Sequence, residues 1–299
     1  MRYRLAHVVI FAVACLLAGK PHLHAQTAAP EVESGKSCPP AASNHKEPYG
    51  PEVSVAGVAF SGFLRMPVSD QDEIATSIKK RTYRDSLDGA TDEALERVRA
   101  GWQNHGYFKV RVKGYATALD STPSRRIALS VQVDEGPQYA LGGIAFKHNR
   151  AVSNFESLRD LFPIKDGDVF SREKIATGLE NLRKAYGELG YVSLVAIPNT
   201  RFDDKKRLSY VDIDVEEGKQ FYVEGVNILG VDESSRAQVL RDFALQPGQV
   251  YNQRLVELSI KHDPMLTNCE CGDWPSLRLD DKRSTVTLTF DFRSCLGGR

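Results

Sequence analysis

The chain has 299 residues, 41% of them hydrophobic and 26% charged, and its Lys and Arg equal its Asp and Glu in number, so the formal net charge is zero. That length exceeds a single compact α+β domain and suggests two or three units, while the composition is that of folded globular chains and excludes a disordered polyelectrolyte. Charge balance also removes the electrostatic case for nucleic acid, because displacing counterions from phosphate needs a surplus of Lys and Arg.

Arg2 and Arg4 open the chain, Leu5 to Gly19 is apolar apart from His7, and Lys20, Pro21 and an Ala25-Gln26 junction follow. This order predicts a secretory signal peptide over residues 1–25. The apolar run is shorter than the roughly 20 residues that a helix needs to cross a bilayer, which makes an uncleaved anchor the weaker alternative. Cys15 after Ala12-Val13-Ala14 raises a lipoprotein alternative, weakened by Ala12 where Leu is usual. After Gly19 no second apolar run of spanning length occurs, so the mature protein is expected to be soluble. Nor does a long series of roughly ten-residue alternating strands announce a transmembrane barrel. Residues 26–51 are rich in Ala, Pro, Ser and Glu without apolar periodicity and read as a flexible leader.

From Glu52 an internal repeat appears. A short apolar strand opens each unit, as Val55–Phe60, Tyr139–Phe146 and Phe221–Ile228, about eighty residues apart. Two amphipathic helices follow in each. In the middle unit Ser171 is placed to cap the second helix, Glu173 sits in its first turn, and Ile175, Leu179, Leu182 and Tyr186 share one face. The helix is expected to end at Gly190-Tyr191, where a left-handed glycine turns the chain towards a strand. The first unit keeps the same register, with Leu95, Val98 and Trp102 on one stripe ahead of Gly106-Tyr107.

Two strand-like runs complete each unit. Phe108, Val110 and Val112 alternate with Lys109, Arg111 and Lys113. The closing runs alternate more cleanly, through Ile127, Leu129, Val131 and Val133, then Val211, Ile213 and Val215, then Val286, Leu288, Phe290 and Phe292. Strand, helix, helix, strand, strand is a two-layer α+β unit that buries one sheet face under two helices. The turns Asp134-Glu135-Gly136 and Glu216-Glu217-Gly218 end the first two units. The expected boundaries are 52–137, 138–219 and 220–295, joined by very short linkers in a semi-rigid tandem array of three such domains.

These features resemble the POTRA (polypeptide-transport-associated) domains of outer-membrane barrel-assembly and two-partner-secretion proteins. The resemblance is strongest in the middle unit, at Asp166-Gly167-Asp168-Val169-Phe170, Ile175, Gly178-Leu179, Leu182, Tyr186, Gly190-Tyr191 and Val211 to Gly218. It implies a periplasmic, non-catalytic scaffold or chaperone-like module without a barrel of its own, with peripheral attachment to the outer membrane as a variant. Its partners would be unfolded or partly folded outer-membrane polypeptides, or a barrel-assembly component. The alternative is a structural spacer or envelope-complex subunit that binds one folded partner. Extended partners of such domains pair with an exposed sheet edge, where unpaired N–H and C=O groups accept almost any sequence. By that analogy the edges are Phe108, Val110 and Val112 in the first unit and Val192, Ser193, Leu194, Val195, Ala196 and Ile197 in the second. The second edge is the better candidate because it carries no charge, whereas Lys109, Arg111 and Lys113 guard the first.

The third unit departs from the pattern: its second helix meets Pro264 early, and Cys269-Glu270-Cys271 stands where Gly-Tyr is expected. In an oxidising compartment a structural disulfide is the default, and Cys271 with Cys295 is the favoured pair, Cys269 with Cys295 the next, contributing about 2–4 kcal/mol. No role is assigned to Cys38. A zinc site of His262, Cys269, Cys271 and Cys295 has suitable ligand types but too tight a spacing. No cofactor is expected, and no nucleophile elbow, His-Glu-x-x-His, phosphate loop or dinucleotide pattern points to an enzyme. The acidic pairs Asp203-Asp204, Glu216-Glu217 and Asp280-Asp281 read as solvated turn charge, and Trp102 and Tyr186 as core.

Overall fold

A computed structural model of the chain describes residues 52–120, 125–267 and 275–293. The expected signal peptide and leader, and all five cysteines, lie outside these residues. The first stretch contains β1 (Glu52–Ser61), α1 (Val68–Lys79), β2 (Thr82–Arg84), α2 (Leu87–Asn104), β3 (Arg111–Ala118) and β4 (Arg125–Asp134). The second contains β5 (Ala140–Lys147), α3 (Phe155–Arg159), α4 (Arg172–Glu188), β6 (Val195–Asp203) and β7 (Leu208–Glu216). The third contains β8 (Tyr222–Leu229), α5 (Glu233–Asp242), α6 (Gln253–His262), α7 (Pro264–Thr267), β9 (Ser276–Asp280) and β10 (Thr285–Asp291).

The three sheets share one topology. Their orders are β2-β1-β4-β3, β5-β7-β6 and β8-β10-β9. In each, the opening strand runs parallel to the closing strand, and the remaining long strand pairs antiparallel on the closing strand's other side. Parallel pairing needs a crossover, which the two helices supply while covering one sheet face. The opening strands even share an irregularity, since the register slips by one residue just before Gly57, Gly143 and Gly225. Beyond the expected plan, the first sheet gains the three-residue β2 on the outer side of β1.

Local signals explain the helices. Ser171 accepts from the Lys174 N–H and caps α4, and Ile175, Leu182 and Tyr186 are buried along its inner face. Gly178 lets α4 press onto the core, because a Cβ there would lie 2.0 Å from the Phe162 ring. Gly190 closes the helix with φ +86°, the left-handed conformation in which a side chain is strained.

The acid-acid-glycine turns are latches as well as turns. Glu135 is 2% exposed, and its carboxylate accepts from Arg65 N at 2.7 Å, Met66 N at 3.1 Å and Trp102 Nε1 at 3.0 Å. Glu217 repeats the arrangement, accepting from Ala151 N at 2.8 Å and the Tyr186 hydroxyl at 2.9 Å. Each ties the loop after an opening strand to the aromatic residue on the second helix. Burial first, and then this carboxylate, push the Tyr186 hydroxyl well above its ordinary value. The reading of Glu216-Glu217 as solvated charge is thus corrected for Glu217.

The repeat is divided into two compact bodies. One ends at Trp102 and resumes over Lys109–Gly136; the other takes Gln103–Phe108 and the chain from Pro137 onwards. The second and third sheets fall in one body because α4 packs directly on α6.

The disulfide expectation is corrected. Among the described residues no disulfide bond is present, and Cys269, Cys271 and Cys295 lie outside them. The helix interrupted at Asp263 resumes as α7, with Pro264 at its first position, where no N–H is needed. The Asp263 carboxylate caps it through Met265 N and Leu266 N, and Leu266 is 1% exposed beneath it, packed with Val239, Val256 and Phe290.

Candidate functional site

Each sheet ends in strands with one unpaired side among the described residues. Strand β6 ends its sheet with only β7 as a neighbour, and β3 likewise has only β4. Along β6, Val195, Ile197, Asn199 and Arg201 are exposed, while Ala196, Pro198, Thr200 and Phe202 turn towards the helices and are half-buried. Val195 and Ile197, 47% and 44% exposed, form an uncharged corner. Beyond them the open face is closed by charge pairing. Arg201 donates to Asp212 at 2.8 Å and lies over the Tyr210 ring, and Lys147 and His148 reach Asp212 and Asp214. The hydrogen bond from Arg201 holds the Asp212 carboxyl below its usual range.

The parity of the ladder decides what the free edge presents. Ala140 N donates to the Arg207 carbonyl, so Leu208, paired with Asp203, directs its own groups to β6. Counting in twos, the odd residues of β6 bond to β7, and Ala196, Pro198, Thr200 and Phe202 turn their backbone groups outwards. Pro198 has no N–H and is tolerated for that reason. It also breaks the row of donors in the middle. The uncharged stretch ahead of that break is Val195–Ile197. On β3 the same count, anchored by Leu119 N donating to the Arg126 carbonyl, turns Val112, Gly114, Ala116 and Ala118 outwards with no donor missing. Its exposed flank carries Arg111, paired with Asp134, then Lys113 and Tyr115, which is 65% exposed.

The sequence-derived residues are distributed around these edges. Val195, Ala196 and Ile197 lie on β6 and Val112 on β3. Ser193 is exposed ahead of β6, Leu194 is 8% exposed in the core, and Val192 packs against the third unit's core. Val110 is buried. Phe108 lies ahead of β3 and is held by the Phe170 and Phe202 rings at 5.4 and 4.8 Å. Pro198, which limits the edge, and the two latch carboxylates were not legible as functional residues. The only sequence signal for the latches is the coincidence of an Asp/Glu-Glu-Gly turn with an aromatic residue four positions before a Gly-Tyr.

A cleft of about 300 Å³ runs between α4, α6 and β9, with Tyr191, Val192, Val256, Ile260 and Leu277 among its walls and Arg183 and Glu257 at its rim. Its mixed lining is that of a joint between packed units. Among the described residues no group of three or more His, Cys, Asp or Glu is placed to hold a metal ion, and no helix is long and apolar enough to cross a membrane.

A family profile described as POTRA, Surface antigen variable number repeat, matches residues 139–218. Those are the residues of the β5-β7-β6 sheet and its two helices. Residues 139–218 are a POTRA domain. Curated relatives of this chain include a Treponema pallidum (strain Nichols) protein named as an outer membrane protein assembly factor, 25% identical over 209 residues, covering 68% of this chain and 25% of that one. Outer membrane protein assembly factor BamA of Neisseria meningitidis serogroup B is 23% identical over 151 residues, covering 49% of this chain and 18% of that one. The chain thus spans about a quarter or less of the length of these relatives. Among solved structures, the crystal structure of Haemophilus influenzae BamA POTRA3-5 matches with a TM-score of 0.62 at 21% identity, covering 82% of this chain and 98% of that one. At that identity the likeness establishes the fold.

Proposed function

We propose that this chain is a non-catalytic, periplasmic scaffold in outer-membrane protein assembly or export that binds extended polypeptides along its strand edges. Three consecutive modules over residues 52–137, 138–219 and 220–295 make up the working part, behind a signal peptide over 1–25 and a leader over 26–51. The names of the relatives supply the process, and the repeated α+β unit supplies the means. The single observation that carries the binding mode is the uncharged, exposed corner at Val195–Ile197 on a strand with one free side. An incoming strand there gains backbone bonds from Ala196 and buries Val195 and Ile197, and Pro198 limits it to a short pairing. The edge of β3 offers a longer and more basic alternative. Partners are unfolded or partly folded outer-membrane polypeptides or a component of the assembly machinery.

The test is an NMR titration of the full mature chain with a short uncharged peptide of alternating Val and Thr. Amide signals of Val195, Ala196 and Ile197 should shift or broaden, with those of Val112 to Ala118 responding if the second edge also binds. Shifts confined to surfaces away from both strands would overturn the edge reading.

A further inference from the structure

The edges of the three sheets differ at one position that the repeat makes comparable. Beyond the shared register slip at Gly57, Gly143 and Gly225, the opening strands pair Phe60 with Val131, Phe146 with Ile213 and Ile228 with Phe290. On their other side Val131 and Ile213 face Gly114 of β3 and Pro198 of β6. Phe290 follows Thr289, which pairs with Ser276, so the same count aligns it with Pro275, one residue ahead of β9. All three positions turn their backbone groups away from the sheet. For the third, Tyr222 N donates to the Ser284 carbonyl, so Thr285 and its partner Asp280 bond to each other and the odd residues before Asp280 look outwards.

Proline at that position removes a donor from the outer row, and it does so in both the second and the third unit. The first unit has no such interruption. Val112, Gly114, Ala116 and Ala118 offer an unbroken row of N–H and C=O groups along the eight-residue β3. The helix-facing side of β3 is also thinly filled. Beside the half-buried Leu95 of α2, Gly114 and Ala118 are exposed and Ala116 is half-buried, whereas β6 fills the equivalent positions with Pro198, Thr200 and Phe202, all half-buried. On the opposite face Lys113 and Tyr115 are exposed.

We infer that β3 is the edge of this chain that takes long strands, and that its partner is an extended amphipathic segment spanning residues 112–118. Large apolar side chains at alternate positions of that segment face α2, and polar or acidic ones lie beside Lys113 and Tyr115. This inference rests on the edge-binding reading above and assigns long pairings to the first unit. The row of backbone groups calls for a strand, and the small residues under α2 leave apolar surface that large side chains on the incoming strand cover. A second copy of this chain fits less well, because its own β3 brings only Gly114, Ala116 and Ala118 to that space and a second Lys113 to the other face.

The test is an NMR titration of the full mature chain with a strand-length peptide in which Leu alternates with Thr and Glu, beside a peptide of the same composition with its Leu residues in one block. The alternating peptide should shift the amides of residues 112–118 and bind about tenfold or more tightly than the blocked one. Ala116→Pro removes an outward donor without touching the β4 ladder and should weaken binding by about tenfold or more. Pro198→Thr restores the missing donor of β6 and should create a second site for the same peptide, seen as shifts along β6. Wild-type binding at β6 or β9 with β3 silent would overturn this inference and leave the edge reading standing; binding at no edge would overturn both. Equal affinity for the two peptides, an affinity unmoved by Ala116→Pro, no gained site in Pro198→Thr, or a peptide-free dimer that covers residues 112–118 would each overturn it as well.

Discussion

Replacing Glu135 with Ala removes one side chain and orphans three donors. Met66 N and Trp102 Nε1 share one carboxylate oxygen, at 3.1 and 3.0 Å, and Arg65 N takes the other at 2.7 Å. The Trp102 side chain is fully buried, so water cannot take over its N–H without opening the core. A buried donor left unpaired costs about 1–3 kcal/mol. With two donors in that position, the loss should be about 3–5 kcal/mol, in the upper tail of single substitutions. Glu135→Gln is the milder perturbation: it keeps one acceptor oxygen but opposes an amide N–H to the N–H of Arg65, for about 1–3 kcal/mol. Urea unfolding followed by Trp102 fluorescence, with Trp274 changed to Phe, reads the affected unit directly. Trp102→Phe in the Glu135→Ala background, followed by circular dichroism instead, should restore part of the loss, since the orphaned indole donor is gone. A Glu135→Ala midpoint equivalent to less than about 0.5 kcal/mol from wild type, the range of ordinary surface changes, would refute the latch.

Other outcomes follow from single contacts. Gly178→Ala should destabilise by about 1–3 kcal/mol in thermal melts, despite the better helix propensity of Ala, because the new methyl must displace the Phe162 ring. Burial pushes the Tyr251 hydroxyl up to about 12, from about 10 in an unfolded chain. Stability contributed by the neutral phenol is therefore complete below pH ~10 and fades as pH rises towards ~12. Urea midpoints at pH 9 and pH 11 should accordingly fall further for wild type than for Tyr251→Phe; equal falls would contradict it. Reductant should leave the melting temperature unchanged, and thiol labelling of the unreduced, unfolded chain should modify Cys269, Cys271 and Cys295.

Elements with strong periodicity were legible before any coordinates. The Ser171 cap, the buried stripe of α4, the matching stripe of α2 and the alternating closing strands all rest on local physics. Edges of elements were less so. The sequence places an uncharged strand over Val192–Ile197, whereas β6 begins at Val195 and continues through Pro198 to Asp203. The reason is long-range: Tyr191, Val192 and Leu194 are drawn into cores and hold the preceding segment out of the ladder. The acidic turns misled for a related reason. Composition marks Glu216-Glu217 as solvated, and only the fold brings Glu217 to the Tyr186 hydroxyl, as it brings Glu135 to the Trp102 indole. Likewise, Pro264 reads as a helix stop, yet the chain restarts the helix on the Asp263 cap and buries Leu266.

The account stands most directly on what meets the open corner of β6 in the cell. A photoreactive residue in place of Ile197 should yield a ladder of different outer-membrane polypeptides, all lost when the strand is blocked by a saturating edge-pairing peptide. A single stoichiometric adduct, or none while the protein is folded and exported, would contradict it.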